Sequence, residues 1–381
     1  DRSKNLSAKY DERVKKFGTD DVIPLWIADM DFRTAQPVID ALKARAEEGI
    51  WGYTARPDSY FEAIRGWQKR RNGWDIDPKL MSFSLGVVQT ISAMVKLFTP
   101  EGGSVLIQTP VYSEFYDMAE AWNRKVLENR FLEHDGKWSV DWADFEEKLQ
   151  QADLFLLCSP HNPLGIVWEE AELRRMMELC LKHHVLVMSD EIHSDLIFHG
   201  KKHIPTASLS PEIAANVITG ISGTKTFNLA GLVGSYHIIY NKALRDRVLA
   251  RSEKSHYNEM NVLSMHALLG AYTPEGREWV DELCEVLSGN VNFACDFITR
   301  HFPGVQVAKP EGTYMLFLDC TDWCAAHEKT LEDVLHAGWD VGVAWEDGRM
   351  FHHPCAIRMN LALPRALVEE AFNRLSAYVF V

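Results

Sequence analysis

Five short runs constrain this chain most: SVLIQ (104–108), LFLLC (154–158), VLVMS (185–189), VITGI (217–221) and YHIIY (236–240). All are dense in branched and aromatic residues and lack polar alternation, the mark of strands buried on both faces. Between the second and third lies EEAELRRMMELCLKHH. Its Leu173, Met176, Met177, Cys180 and Leu181 recur at helical spacing, so a strand–helix–strand unit is expected. The implied class is α/β with a mostly parallel central sheet. In such sheets ligands collect beyond the carboxyl ends of the strands.

Each polar feature of interest directly follows one of these runs. SPHNPLG brings Asn162 after LFLLC, DEIH brings Asp190 after VLVMS, and SGTK brings Lys225 after VITGI. Taken singly, Asn-Pro is a turn, the aspartate a cap and the lysine a loop cation. In order, with a strand before each, they face one crevice. Lys225 stands among small and apolar neighbours in ISGTKTFNLAGL, a poor setting for an ammonium unless it is paired or held as a Schiff base. Pyridoxal 5′-phosphate would unite the three. Its aldehyde takes a lysine, its pyridine nitrogen needs a carboxylate to stay protonated, and its phenolate oxygen needs a donor such as an asparagine amide. In SLGVVQTISAMVKLFTPEGG a turn at Gly86 opens a helix that ends before Pro100. The free N–H groups of Val87 and Val88 then form a phosphate site, to which Ser222 adds a hydroxyl. Tyr112 in TPVY is placed either to stack on the ring or to fill the core.

The remaining composition mostly excludes. With 381 residues, 46% hydrophobic and 25% charged, the chain has room for two domains. A net charge of −14 argues against nucleic acid or an anionic membrane as partner, and no run has the apolar length of a membrane helix. The opening DRSKNLSAKYDERVKKFG lacks the apolar core of a signal peptide. Seven scattered cysteines show no zinc spacing and HExxH is absent, so no metal is expected. Free thiols fit a reducing cytoplasm. No GxGxxG follows a strand, which argues against a nicotinamide dehydrogenase. The first 48 residues, with IPLWIADMDF and QPVIDALKARAEEG, are expected to join residues 286–381 in a smaller α/β domain, leaving 49–285 as the large domain.

The ordered set GVVQ, TPVY, SPHNPLG, SDEIHSD, SGTKTFNLAGL and IRMNLA resembles the fold-type I, aspartate-aminotransferase-like pyridoxal phosphate enzymes over nearly the whole chain. PLWIADMDF, GYTARP, DEIH and KTFNLAGL look more narrowly like the cystathionine β-lyase (C–S lyase) branch. The resemblance implies a three-layer transferase fold with Lys225 as the Schiff-base lysine, Asp190 at the pyridine nitrogen and Asn162 at the phenolate oxygen. It also implies Tyr112 on the ring, Val87, Val88 and Ser222 at the phosphate, and Arg358 at the substrate α-carboxylate. His193 stands where many aminotransferases have a tyrosine. Tyr53 matches a tyrosine that reaches the neighbouring subunit's phosphate, so a homodimer with shared sites is implied. Val233 replaces a phosphate-clamping arginine eight residues after the lysine, a departure that favours the lyase branch.

The expected activity is β-elimination from a small-molecule substrate, cystathionine or a related cysteine S-conjugate, to a thiol, pyruvate and ammonia. Arg358 and Asn162 would orient the substrate α-carboxylate and Lys225 would remove the Cα proton, with Tyr112 or Lys225 protonating the departing sulfur. The alternatives are an aminotransferase on the same scaffold and, from another class, a binding or regulatory protein that keeps the fold.

Overall fold

The computed structural model describes residue 2, residues 4–134 and residues 136–381. Its largest sheet is built from β1 (Met81–Ser84), β2 (Ser104–Thr109), β3 (Lys125–Arg130), β4 (Leu154–Cys158), β5 (Leu186–Asp190), β6 (Val217–Ile221) and β7 (Ser235–Ile239). The strand order is β1-β7-β6-β5-β4-β2-β3. Every neighbouring pair is parallel except those made by β7, which runs antiparallel to both β1 and β6. The carboxyl ends of the other six strands therefore share one edge with the start of β7. The α/β, mostly parallel expectation holds.

Alternate side chains explain the unbroken apolar runs. On β4, Phe155 and Leu157 enter one core while Leu154, Leu156 and Cys158 enter another on the opposite face. Helices Asp58–Asn72, Glu170–Lys182 and Val262–Ala271 cover the first face, through Ile64, Trp67, Leu173, Met176 and Ala267. Helices Val87–Phe98 and Glu114–Ala121 cover the second, through Ile91, Met94, Phe115 and Ala119. The result is three layers. Gly220 on β6 permits one close approach, since a Cβ there would lie 2.8 Å from Met188 Cε and 3.2 Å from Val87 Cγ1. The start of helix Val87–Phe98 thus settles directly over the sheet.

A further core surrounds an antiparallel sheet of β8 (Gln306–Val307), β9 (Met315–Asp319), β10 (Glu346–Asp347) and β11 (Ala356–Asn360), in the order β8-β9-β11-β10. Ile23, Leu25 and Met30 pack into it with Leu316, Met359 and Phe372. Ile23–Pro24 also pairs with Val343–Ala344. Two features cut across the sequence-based boundaries. Helix Pro274–His301 runs unbroken through position 285, with Val280 in the larger body's core and Leu287 in the other. Helix Gln36–Glu47, grouped on sequence with the chain ends, packs instead on the larger body through Val38, because Gly270 lets the two backbones meet. No helix among the described residues is long and apolar enough to cross a membrane.

Candidate active site

Beyond the shared strand edge lies a cavity of about 320 Å³, lined by residues from six places in the chain. Leu85 to Gln89 come from the β1–helix junction, Tyr112 follows β2, Asn162 follows β4, and Asp190 and His193 end and follow β5. Lys225 follows β6, and Val233 and Gly234 precede β7. The three residues that sequence placed after successive strands therefore share one cavity. Val87 and Val88 join them at the first turn of their helix, where backbone N–H groups lack intrahelical acceptors.

Electrostatically the cavity is built of groups short of partners. Burial pulls the Lys225 ammonium down to about 8, and the nearby Arg358 cation adds to the effect. Burial pushes the Asp190 carboxyl up to about 7, against one backbone hydrogen bond from Ile192 N–H to Oδ1 at 3.0 Å. His193 is held neutral, its pKa lowered to about 3 by burial and by the cations of Lys225 and Arg358. Asn162 Oδ1, His193 Nδ1 and Arg358 Nε are buried without a hydrogen-bond partner. Unpaired buried polar atoms are costly, so their convergence marks a place for a polar ligand.

The loop 26–30, part of PLWIADMDF, meets Lys225 without itself lining the cavity. Lys225 Nζ donates to the Ala28 carbonyl at 2.8 Å, and Tyr314 Oη donates to the same oxygen at 3.1 Å. Arg358, on β11, donates from Nη2 to the Trp26 carbonyl at 3.0 Å and stacks its guanidinium over Phe351 at 4.5 Å. Asn360 takes the carbonyls of Ile27 and Asp29, and Asn228 takes that of Met30. Every carbonyl from Trp26 to Met30 has a donor.

Three expected site residues, Arg358, Tyr53 and Ser222, do not line the cavity wall. Ser222 is buried behind it, its Oγ donating to the Gly234 carbonyl at 2.6 Å and accepting from Thr224 N–H at 3.1 Å. It caps the short helix that carries Lys225, and Thr224 lines the cavity in its stead. Tyr53 is wholly exposed, in a stretch with Trp51 and Arg56 that borders a separate groove. Tyr112 lines the cavity with its phenol pushed up by burial and by the carboxylate of Glu114.

A family model described as aminotransferase class I and II matches residues 20–375. The chain belongs to the aminotransferase class I and II family. Within it, cystathionine β-lyase PatB of Bacillus subtilis (strain 168) is 37% identical over 375 residues, covering 97% of this chain and 96% of its own. Protein MalY of Escherichia coli (strain K12) is 32% identical, covering 97% and 95%. The crystal structure of cystalysin from Treponema denticola, which contains a pyridoxal 5′-phosphate cofactor, matches with a TM-score of 0.92 at 30% identity. That match covers 99% of this chain and 96% of that one. The motif-based resemblance is borne out.

Not every residue of the site was singled out on sequence. Gln89, Thr224 and Ile192 line the cavity from inside the motifs GVVQ, SGTK and DEIH. Tyr314 sits in EGTYMLFLD, read on sequence as strand. The Ala28 carbonyl had no signal at all, since every residue carries that group.

Proposed function

We propose that the chain is a pyridoxal phosphate-dependent carbon–sulfur β-lyase that cleaves cystathionine or a related cysteine S-conjugate to a thiol, pyruvate and ammonia. One observation carries this reading. A lysine amine with its pKa lowered to about 8 shares a cavity with a buried carboxylate and a buried unpartnered amide, each from the end of a successive strand. The relatives named for cystathionine lysis match along almost their whole length.

The residues fit the cofactor. Asp190, its carboxyl pushed up to about 7 by burial, would be ionised by a protonated pyridine nitrogen. Asn162 supplies an amide for the ring oxygen. The N–H groups of Val87 and Val88, with the Thr224 hydroxyl, suit a phosphate. The neutral His193 adds a polar ring without adding charge. Tyr112 supplies an aromatic face. Bound pyridoxal phosphate provides an electron sink for the pair left at the substrate Cα. Lys225 then serves as base: a Nζ with a pKa near 8 can take the Cα proton and return one near neutral pH. Arg358, whose Nε is free, suits the α-carboxylate, which a guanidinium binds through two N–H groups. Lys225 and Tyr112 are the donors available to the departing sulfur.

The reading extends to a homodimer. Tyr53 and the neighbouring Trp51 are exposed, and a second copy would cover them and bring Tyr53 to its own phosphate site. The seven cysteines are all unpaired, which fits a reducing cytoplasm. The test is pyruvate release from L-cystathionine by cofactor-loaded protein without a ketoacid. Catalytic pyruvate is expected. Turnover of amino acids that starts only on adding a ketoacid would assign an aminotransferase instead.

A further inference from the structure

Lys9 is fully buried, a rare state for lysine, and lies outside the cavity. Its Nζ is 3.3 Å from Asp31 Oδ2 and 3.6 Å from Asp29 Oδ1, and donates to the Asp29 carbonyl at 3.2 Å. Its own carbonyl accepts from Trp26 Nε1 at 3.2 Å. Arg2 closes the cluster, with 2.8 Å contacts to both carboxylates, and Tyr10 Oη donates to Asp31 at 3.0 Å. Arg2, Lys9 and Tyr10 thus grip the loop on both sides of Ala28, whose carbonyl holds Lys225 Nζ.

We infer that Lys9 is a positioning residue for Lys225: by holding the Asp29 carbonyl and the carboxylates of Asp29 and Asp31 with its ammonium, it sets where the Ala28 carbonyl meets the lysine amine. The geometry gives the reason. No hydrogen bond joins Ala28 to Arg2 or Lys9, so the cluster acts through the loop. A carbonyl held 2.8 Å from Nζ favours the protonated amine and aims its hydrogens. Loosening either flank lets that oxygen drift, and displacement on the order of 1 Å at a reacting group can cost two decades in rate. The charged groups that act on Lys225 are Arg358, Asp29, Glu114 and Asp190, and Asp29 belongs to the cluster itself. This inference rests on Lys225 being the cofactor lysine.

The test compares the full chain with Lys9→Met, both stripped of cofactor, for the rate of pyridoxal phosphate uptake as a function of pH. Because uptake needs the neutral amine, its midpoint reports the Lys225 pKa. Lys9→Met is expected to lower that midpoint by about half a pH unit or more. Once reloaded, its kcat should fall about tenfold while KM moves less than about threefold. A folded Lys9→Met with lower thermal stability but an unchanged midpoint and kcat would overturn the inference, leaving Lys9 a structural residue only. Should Lys9→Met fail to fold, Asp31→Asn carries the test: a smaller shift in the same direction supports it, and no shift overturns it. Absence of uptake by the unaltered chain would instead bring down the proposed function, and this inference with it.

Discussion

On the strand side of the cavity, Asn162 and His193 keep buried polar atoms without partners, and Asp190 has a single backbone donor. On the loop beyond Lys225, every carbonyl from Trp26 to Met30 is taken, two of them by the one amide of Asn360. The cavity wall is left wanting and the loop is saturated. A polar cofactor would give the unpaired groups of the wall their partners. The loop's hydrogen bonds are complete without a ligand, which suits a backbone that orients a base.

The contrast can be broken most severely at Lys225. Lys225→Ala should leave the fold intact and lower elimination by at least about 10³-fold, measured as pyruvate per loaded site. Next comes Asp190→Asn, which should cost about 10²-fold in kcat once cofactor is forced in by excess. The same change should stabilise the stripped protein. A carboxyl whose folded pKa is raised from 3.8 to about 7 loses stability as pH climbs between those values, and carries the full penalty above 7. Removing it should therefore raise thermal stability at pH 8, by at most about 4 kcal/mol, and do nothing at pH 3. Lys225 has the opposite sign. Its folded pKa is depressed to about 8, so the stripped protein gains stability as pH rises from there toward 10.5.

Smaller effects sharpen the loop side. Arg358→Lys should raise KM about tenfold, with kcat less affected, because an ammonium cannot replace the planar fork. Asn360→Ala removes one of two donors from each of the Ile27 and Asp29 carbonyls and should destabilise the chain by about 2 kcal/mol in urea unfolding. If it also lowers kcat, the loop positions the base. If stability alone falls, the saturation is merely structural.

Legibility in the sequence followed the same division. The wanting wall was readable because its members are unusual residue types at strand ends: an asparagine between prolines, an aspartate at the end of a mostly apolar run, a lysine among small residues. The five buried strands were readable for the same reason, as runs with no solvent face. The two sheet-edge strands were not. Met81–Ser84 is short and alternates, and Lys125–Arg130 is polar because only one side of it meets another strand. The saturated loop was the least legible, for it acts through backbone carbonyls. Its side-chain donors come from positions 2, 9, 225, 228, 314, 358 and 360, which only the fold brings together. Ser222 illustrates the limit of a motif. The hydroxyl lies near the right place, yet it is spent on capping the helix that carries Lys225.

The central claim is that one lysine, Lys225, binds the cofactor covalently. Borohydride reduction of the yellow protein followed by peptide mass mapping tests it most directly. The account predicts a single stable adduct on the peptide containing Lys225, and none in Lys225→Ala. An adduct on another lysine, or a colour unaffected by Lys225→Ala, would contradict it.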